Sequence, residues 1–545
     1  MTVTIPNTPW RGTVAAPSSK SDLHRKLICA ALFGADCDIA YAGALGQDIL
    51  ATIDCLRALG AQVSQEAGVL RCKAVDLKKA PSAVPTLDCR ESGSTLRFLL
   101  PVAAALCPQF IITGSGRLPV RPIDTALEIL HTHGCATDGD HLPLCVQGRL
   151  TGHEFFLPGD VSSQYLSGLL FALPLLGGGQ ITLTTPLQSA AYVAMTLDAL
   201  AAFSIVYTVA GGTYSLPVVT EKDIKKSLWR FARGSWKVLT GGGDVLTGIG
   251  RLRRLKLARA AFYGAKGSRD LMEGGQQMLS SSKELADAGK AQFRKVHAAA
   301  DVGLQLARQV KDDVKARKLD ALLHPKLTGY DFENPTELQE LHAEGDWSNS
   351  AFWLCAGAHP GANVTVTGLT QNSRQGDRAI VDILRRMGAR VTEEGERITV
   401  VGGNLHAIDL DVAEIPDLVP PVAVLMAVAE GTSSIRNGAR LRVKESDRLV
   451  AVAKIITELG GSVDEKLDGL IIHGTAGKLS PTSAPVLDSH NDHRIAMAAA
   501  LAAAWCTQPV TVTDAAAVHK SYPDFWALQQ SLCTDCAPKN LPSVL

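Results

Sequence analysis

The sequence of 545 residues has no excess of either charge, since 54 lysines and arginines balance 54 aspartates and glutamates. A neutral chain gives no electrostatic reason to expect a nucleic-acid partner. The sequence also lacks an apolar run that reaches the length of a membrane span without charges. No signal-like segment precedes the alternating run from Val3 to Val14. These absences predict a chain without a membrane span or a secretion signal.

The cysteine spacing typical of a metal site is also missing, although the chain has 12 cysteines. Cys533 and Cys536 form one C-x-x-C near the end, and no second pair accompanies it. We therefore expect no metal, no cofactor, and reduced thiols in the cytoplasm.

What the chain does have is a repeat. Six short segments place small or polar residues beside an Ala/Leu-rich run, near residues 20, 92, 162, 346, 417 and 492. The steps between them are 72, 70, 184, 71 and 75 residues. Since the third step contains about 110 extra residues, the period predicts six copies of one α/β unit, three before and three after an insertion.

Each unit is predicted as strand, helix, strand, helix and further strands. In the first unit, Leu23–Leu32 and Gln47–Leu59 have helical apolar patterns, and Gly60 stands where a helix would end. The opening segments place Ser, Asn or Asp near helix N-termini, where free N–H groups and the helix dipole attract anions. Six such N-termini with lysines and arginines beside them predict an anion-binding cleft.

Residues 219–337 break this pattern and have a basic stretch, because residues 221–320 contain 22 Lys and Arg against 11 Asp and Glu. Three segments have helical patterns, namely Lys222–Leu239, Arg251–Tyr263 and Ala291–Leu319. We predict a helical bundle that leaves and re-enters the third unit, between strands near Tyr214 and Leu341. The partner of this insertion is unknown. Nucleic acid, an acidic membrane, an acidic protein, a self-contained bundle and an artificial fusion are all left open.

Charged strings recur at the predicted strand-to-helix junctions. They are Lys20–Arg25, Arg117–Arg121, Arg442–Arg448, Asn491–Arg494 and His519–Tyr522. One such string is usually a solvated face, but their recurrence predicts a substrate with two anionic groups. Asp417 lies before an apolar helix and Glu445 lies among cations, and such a pair of carboxylates suits proton transfer.

These strings resemble the 5-enolpyruvylshikimate-3-phosphate (EPSP) synthase family. The matching motifs are P-S-S-K-S-D-L-H-R (17–25), S-G-S-T-L-R-F (92–98), L-P-V-R-P (118–122), S-S-Q-Y-L (162–166), G-D-W-S-N-S (345–350), R-V-K-E-S-D-R (442–448), N-D-H-R (491–494) and H-K-S-Y-P-D-F (519–525). They stand in the family's order in both arms of the chain. The insertion has no counterpart in this resemblance.

The resemblance implies an α/β fold, a two-domain inside-out α/β barrel of six similar units, to which an all-α bundle is added. One domain would comprise residues 1–17 and 346–545, and the other residues 18–218 and 338–345. Residues 219–337 would be the helical insertion. The protein is expected to be a monomer.

The resemblance also implies a reaction. The enolpyruvyl group of phosphoenolpyruvate would move to the 5-hydroxyl of shikimate 3-phosphate, with release of phosphate, by addition and elimination through a tetrahedral intermediate. Asp417 and Glu445 would shuttle protons with help from Lys20. Phosphoenolpyruvate would meet Lys20, Gly93, Arg121, Gln164, Arg448, Arg494 and Lys520. Shikimate 3-phosphate would meet Ser21, Arg25, Ser162, Ser163, Gln164, Ser189, Tyr192, Asp417 and Lys444. Glyphosate is expected to compete with phosphoenolpyruvate when a glycine stands at position 93.

Two alternatives accompany this reading. The related enolpyruvyl transferase that acts on UDP-N-acetylglucosamine would share the fold, but the P-S-S-K-S and K-E-S-D-R strings favour the shikimate enzyme. The second alternative is a non-catalytic scaffold that carries the inserted bundle. The presence of every expected charged site residue disfavours it.

Overall fold

The computed structural model describes residues 1–34, 36–76, 84–217 and 339–533. The predicted insertion at 219–337, with its three predicted helices, lies outside these residues, as does Cys536.

The helices within the described residues include the predicted pair in the first unit. They are α1 Lys20–Phe33, α2 Gln47–Ala58, α3 Gly93–Leu106, α4 Asp124–Thr132, α5 Ser163–Ala172, α6 Ala190–Ala202, α7 Trp347–Gly357, α8 Ile380–Met387, α9 Val419–Val428, α10 Arg448–Glu458, α11 His493–Ala503 and α12 Phe525–Leu532. Short 3-10 helices at Pro416–Leu418, Ala439–Val443 and Ala515–Lys520 precede or follow them.

The strands are short, with three to five residues each. They are β1 Val3–Ile5, β2 Arg11–Ala15, β3 Asp36–Ala40, β4 Gln62–Glu66, β5 Val69–Lys73, β6 Thr86–Asp88, β7 Gln109–Thr113, β8 Cys135–Thr137, β9 Leu144–Gly148, β10 Glu154–Leu157, β11 Gly179–Leu183, β12 Thr208–Ala210, β13 Thr213–Leu216, β14 Gln339–His342, β15 Asn363–Thr367, β16 Arg390–Glu394, β17 Arg397–Val401, β18 Asp409–Asp411, β19 Thr432–Arg436, β20 Ser462–Lys466, β21 Gly469–His473, β22 Val486–Asp488 and β23 Val510–Thr513.

These strands form six separate sheets with one recurring topology. In the sheet β6-β7-β9-β8, β6 and β7 are parallel and connected by α3, and the other neighbours are antiparallel. Four other sheets repeat this arrangement, and the three-stranded sheet β1-β23-β22 is a shorter version of it. The prediction of an α/β fold built from six similar units is confirmed.

Two sheets take their first strand from a distant part of the chain. β2 pairs in parallel with β15, and β14 pairs in parallel with β3. The prediction that the chain returns to the third unit after the insertion is therefore wrong, because β14 completes the sheet of the first unit. The reason is that β3, like the second strand of the other units, has a parallel neighbour. Parallel strands cannot be joined by a tight hairpin, so this neighbour comes from a distant part of the chain. The chain passes twice between the halves, near residues 16–18 and 343–346.

The buried apolar residues form two clusters, which we call the first and second core. The first core contains residues from Leu23 to Tyr214, and the second contains Ile5–Ala16 together with residues from Trp347 to Cys533. The opening helix of most units is buried on nearly every side, and every residue of α9 is buried. A helix that is apolar all round belongs inside a core, which explains the Ala/Leu-rich runs. The exact domain boundaries stay a prediction.

None of the helices α1 to α12 is long and apolar enough to cross a membrane.

Candidate active site

The polar residues of the repeated segments cap the helices that open the units. The side chains of Ser19, Ser92, Ser162, Asp346 and Asp492 each accept a backbone N–H in the first turn of α1, α3, α5, α7 and α11. Asp417 differs, because it lies in a 3-10 turn before α9 and caps no N–H there. Capping thus accounts for part of the sequence repeat, and the charged neighbours of these caps form the site.

Arg448 is the centre of the charged cluster. Its side chain is 1% exposed and donates to Asp492, Asp417 and Glu445, each at 2.8 Å. Asp492 supplies both oxygens, since Oδ1 also accepts from Nη2 at 3.2 Å. One guanidinium therefore orients both of the predicted proton-transferring carboxylates, and burial makes these charge-assisted bonds strong.

Asp417 receives donors from both halves of the chain. Arg494 Nη2 lies 3.2 Å from Oδ2, Lys444 Nζ lies 3.9 Å from Oδ1, and the Tyr192 hydroxyl donates to Oδ2 at 3.3 Å. Tyr192 belongs to the first half, and the two cations belong to the second. Asp417 thus lies where the halves meet, with one carboxylate compensating three cations.

Burial alone would raise the pKa of Asp417, but Arg494, Lys444 and Arg448 outweigh it and hold the pKa below its usual range. Burial likewise opposes ionisation of Glu445, and Arg448 and Arg121 hold its pKa well below the usual range. Both carboxylates are therefore ionised, and they are weak bases as long as the cations face no other anion. An anionic substrate on these cations would raise both pKa values, which couples proton uptake to substrate binding.

Lys20 opens α1 and faces the same cluster. Its ammonium lies 2.8 Å from Asp48 Oδ2, and its backbone N–H donates to Asp346 Oδ2 at 3.1 Å. Burial would lower the pKa of Lys20, but Asp48 and Glu445 outweigh it and raise the pKa. Lys20 is therefore a charged donor near Glu445.

Gly93 is bordered by two guanidinium groups. A Cβ at Gly93 would lie 2.7 Å from Nη1 of both Arg121 and Arg97. Arg97 donates to Gln164 Oε1 at 3.2 Å, and Gln164 Nε2 donates to Ser94 at 2.9 Å. Arg121 Nε is buried and meets no acceptor among the described residues. An anion bound here would accept a hydrogen bond from this buried, unpaired N–H and would compensate the charge of Arg121.

The remaining predicted residues lie around α1, α5 and α6. Arg25 donates to Thr196 Oγ1 at 2.8 Å and to the carbonyls of Tyr192 and Ser21. Burial lowers the pKa of the Arg25 guanidinium to about 10. Ser163 follows the cap Ser162 and is buried. Arg25 and the N-terminus of α5 thus border the cleft from the first half.

Ser189 takes a left-handed backbone conformation, with φ of 57°, at the start of α6. Its N–H and that of Ala190 donate to the two oxygens of Glu414, at 2.7 and 2.8 Å. A carboxylate from the second half thus occupies the N-terminus of α6, where anions are favoured.

Lys520 is the last residue of the 3-10 helix Ala515–Lys520. Its ammonium is 2.7 Å from Glu91 Oε2 and also donates to the carbonyl of Asn491. The structure therefore brings Lys20, Arg121 and Arg448 to Glu445, brings Arg494, Lys444 and Arg448 to Asp417, and places Lys520 in a separate ion pair with Glu91.

Several residues of the site were missed at the sequence level. They are Asp48, Glu91, Arg97, Asp377, Glu414 and His493. Asp48, Glu91 and Glu414 each pair with a residue that is far away in the sequence, so no local pattern marks them. His493 is buried with no hydrogen-bond partner on either ring nitrogen among the described residues, and burial holds its pKa well below the usual range. Its place in the N-D-H-R string was the available signal.

Among these missed residues, Asp377 has the environment whose consequence for stability is easiest to test. Its carboxylate accepts a hydrogen bond from Ser348, and burial, followed by the charge of Asp417, raises the pKa of Asp377 to about 7. The unfolded chain releases this proton near pH 4, whereas the folded chain keeps it until about pH 7. Folding stability should therefore fall as pH rises from about 4 to 7.

We expect Asp377→Asn to stabilise the protein by about 1–3 kcal/mol at pH 8 and by much less at pH 5. Asn keeps an oxygen for Ser348 and cannot ionise. Melting temperatures of both forms from pH 5 to 8.5 measure this, with the exposed Asp382→Asn as control. A difference between Asp377→Asn and the wild type that does not grow with pH would contradict it.

The chain matches the family model described as EPSP synthase (3-phosphoshikimate 1-carboxyvinyltransferase) over residues 5–226 and 331–528. Residues 227–330, inside the predicted insertion, are not matched.

Two relatives with the name 3-phosphoshikimate 1-carboxyvinyltransferase are similar over nearly their whole length. The Clostridium kluyveri protein is 32% identical, covering 97% of this chain and 97% of the relative, and that of Clostridium acetobutylicum is 32% identical, covering 95% and 94%. The EPSP synthase structure from Acinetobacter baumannii has a TM-score of 0.63 and 21% identity, covering 98% of both chains. The enolpyruvyl transferase NikO from Streptomyces tendae has a TM-score of 0.60 and 15% identity, covering 97% of both. The two structures show a shared fold.

Proposed function

The chain belongs to the EPSP synthase family, and we propose that it transfers the enolpyruvyl group of phosphoenolpyruvate to the 5-hydroxyl of shikimate 3-phosphate, releasing phosphate. The observation that carries this proposal is the Arg448 cluster, in which one buried guanidinium holds Asp417 and Glu445 amid further cations. Two ionised carboxylates among anion-binding cations suit proton transfer on a substrate with several negative charges.

The proposed phosphoenolpyruvate subsite comprises Lys20, Gly93, Arg121, Gln164, Arg448, Arg494 and Lys520. Arg121 supports it most directly, because its buried Nε lacks an acceptor within the part of the chain that the structure describes. Gly93 lets the Arg121 guanidinium lie against the backbone, where a Cβ would clash with it. The phosphate and carboxylate of the substrate would supply the acceptors that this region needs.

The proposed shikimate 3-phosphate subsite comprises Ser21, Arg25, Ser162, Ser163, Gln164, Ser189, Tyr192, Asp417 and Lys444. Its hydroxyls and amides lie at helix N-termini of the first half, and Asp417 and Lys444 reach it from the second. Closure of the halves would bring the 5-hydroxyl between Asp417 and the bound enolpyruvyl group.

In the addition step, the 5-hydroxyl gives up a proton as its oxygen bonds to C2 of phosphoenolpyruvate, and the methylene carbon gains one. In the elimination step, the methyl group loses a proton and the C–O bond to phosphate breaks. We propose that Asp417 and Glu445 exchange these protons, with Lys20 assisting. Anions on Arg448 and Arg494 would first raise the low pKa values of both carboxylates.

A phosphate-release assay with phosphoenolpyruvate and shikimate 3-phosphate tests the function. Turnover that requires both substrates is expected. Folded protein without turnover would favour the scaffold alternative, and turnover with UDP-N-acetylglucosamine instead would favour the related transferase.

The cellular location, the oligomeric state and the partners of the protein are also part of this proposal. We expect a cytoplasmic monomer without a nucleic-acid partner for the barrel, while the partner of the basic insertion stays unassigned. Cysteines without disulfides, nearly all of them buried in the part of the chain that the structure describes, fit a reducing compartment.

Gly93→Ala should weaken inhibition by glyphosate at least about tenfold, because a methyl group within 3 Å of two guanidiniums displaces them. The Michaelis constant for phosphoenolpyruvate should rise as well. Inhibition constants for both forms measure this. Gly139→Ala is the control, since its added carbon would meet a side chain only at 3.7 Å. Equal constants in the wild type and Gly93→Ala would contradict the assignment of Gly93.

Replacing residues 219–337 with a short Gly/Ser linker should leave a soluble, active enzyme. The linker joins β13 to β14, whose sheets both pack on the first core. Loop length alters closure entropy only logarithmically, so removing a long segment changes little. Solubility and turnover of the deletion variant measure this. An insoluble variant, or one that loses both halves on unfolding, would show that the insertion is part of the core.

A further inference from the structure

We propose that Glu91 is a positioning residue that holds Lys520 and Asn491 across the cleft and thereby sets the affinity for phosphoenolpyruvate. Glu91 lies between β6 and α3, on the first half of the chain. Lys520 and Asn491 lie on the second half, about 400 residues further on. The inference rests on the proposed function, since it assigns Lys520 to the phosphoenolpyruvate subsite.

Both oxygens of the Glu91 carboxylate are used. Oε2 accepts from Lys520 Nζ at 2.7 Å, and the Asn491 amide donates to Oε1 and Oε2 at 3.2 Å each. The Lys520 side chain is 11% exposed and that of Glu91 is 28% exposed. A mostly buried ammonium needs a carboxylate or an anionic ligand beside it, so Glu91 compensates Lys520 before substrate arrives.

The backbone around Glu91 leaves room for this contact. Gly116 has φ of 57°, and a Cβ there would clash with Glu91 Oε2. A side chain at position 116 would therefore push the carboxylate away from Lys520. The glycine keeps the Glu91 side chain directed toward the second half.

The contact also reaches the helix that carries Arg494. His490 and Asn491 have φ of 51° and 53°, and they directly precede Asp492, the cap of α11. Two consecutive non-glycine residues in the left-handed region cost energy that surrounding contacts must offset. Glu91 supplies such a contact to Asn491. One carboxylate thus orients Lys520 directly and the turn before Arg494 through Asn491.

This arrangement predicts an effect on one substrate only. Lys520 and Arg494 belong to the proposed phosphoenolpyruvate subsite, whereas the proposed shikimate 3-phosphate residues lie mainly on α1, α5 and α6. In Glu91→Ala, we expect the Michaelis constant for phosphoenolpyruvate to rise about 10–100-fold, and that for shikimate 3-phosphate to change less than about threefold. Glu91→Gln keeps an oxygen that can accept from Lys520. Its Michaelis constant for phosphoenolpyruvate should therefore lie between those of the wild type and Glu91→Ala.

The experiment measures steady-state kinetics of the full chain in both substrates. Asp198→Ala is the matched control, because the Asp198–Arg374 ion pair also joins the two halves, at 3.1 Å, but is exposed to solvent. It should leave both Michaelis constants unchanged. Melting temperatures verify that every variant is folded, and Glu91→Gln decides the outcome if Glu91→Ala does not fold.

A double-mutant cycle separates positioning from a general effect. In a Lys520→Met background, loss of Glu91 should lower kcat/KM for phosphoenolpyruvate by a smaller factor than in the wild-type background, because only the contact with Asn491 is left to lose. Unchanged constants in the single variants, equal rises for both substrates, tighter phosphoenolpyruvate binding, or independent effects in the cycle would each overturn the proposal. A wild type without turnover would instead overturn the proposed function, and this inference with it.

Discussion

Glu445→Gln is expected to lower kcat about 10²–10⁴-fold, the scale on which loss of a general acid or base acts. Glutamine has nearly the same shape and keeps an oxygen that can accept from Arg448, now at 2.8 Å from Glu445. It cannot carry a proton. The loss should therefore appear in turnover, with the cluster still assembled.

Binding of phosphoenolpyruvate should respond differently in this variant. Glu445 is a negative charge near Arg448, Arg121 and Lys20, and its removal leaves more positive charge for an anionic substrate. We expect the dissociation constant for phosphoenolpyruvate to stay the same or fall. Calorimetric titration together with the phosphate-release assay separates the two effects.

The control for this prediction is Glu458→Gln, at the last residue of α10, which begins at Arg448. Its side chain is 37% exposed and its ion-pair partner is Lys454, at 3.8 Å, so turnover should be unchanged. A Glu445→Gln enzyme within a few-fold of wild type would show that Glu445 moves no proton in the slow step.

The fold was predictable because its signals are local and repeated. Helical apolar spacing in residues 23–32 and 47–59 matches α1 and α2 to within a few residues, and the cap Ser92 stands directly before α3. Once one unit is predicted correctly, the repeat period predicts the positions of the same elements in the other units. The place of β14 could not be read in this way. Its partner is chosen by the open edge of β3, about 300 residues away, and no local pattern encodes that pairing.

The site was predictable only in part, for the same physical reason. The string from Arg442 to Arg448 shows that charges gather there, but not which of them is buried. Arg448 follows the cap Asp447 at the start of α10 and turns into the protein, where Asp417 and Asp492 meet it. Arg442 bonds Asp447 and Glu465 at 2.9 Å with 24% exposure. Tertiary contacts, rather than the string itself, separate the two arginines.

Because Arg448 is buried and shared by three carboxylates, Arg448→Met is expected to abolish turnover and also to destabilise the second core. Methionine fills much of the volume but leaves Asp492, Asp417 and Glu445 without their shared cation. Removing one partner of a buried ion pair costs about 3–5 kcal/mol, because the remaining charge is uncompensated. Here three carboxylates lose a partner, although Arg494 and Lys444 still compensate Asp417.

The variant should therefore unfold at lower urea concentration than the wild type, with circular dichroism as the measurement. The loss should shrink as pH falls toward 4, since protonation of the stranded carboxylates removes their repulsion. Arg442→Met is the matched control, because it removes the same group from the same segment where solvent still reaches it. We expect that control to lie within about 1 kcal/mol of wild type. Equal stability losses in the two variants would mean that the Arg448 cluster contributes no more than a surface ion pair, and that Asp417 and Glu445 are positioned by something other than Arg448.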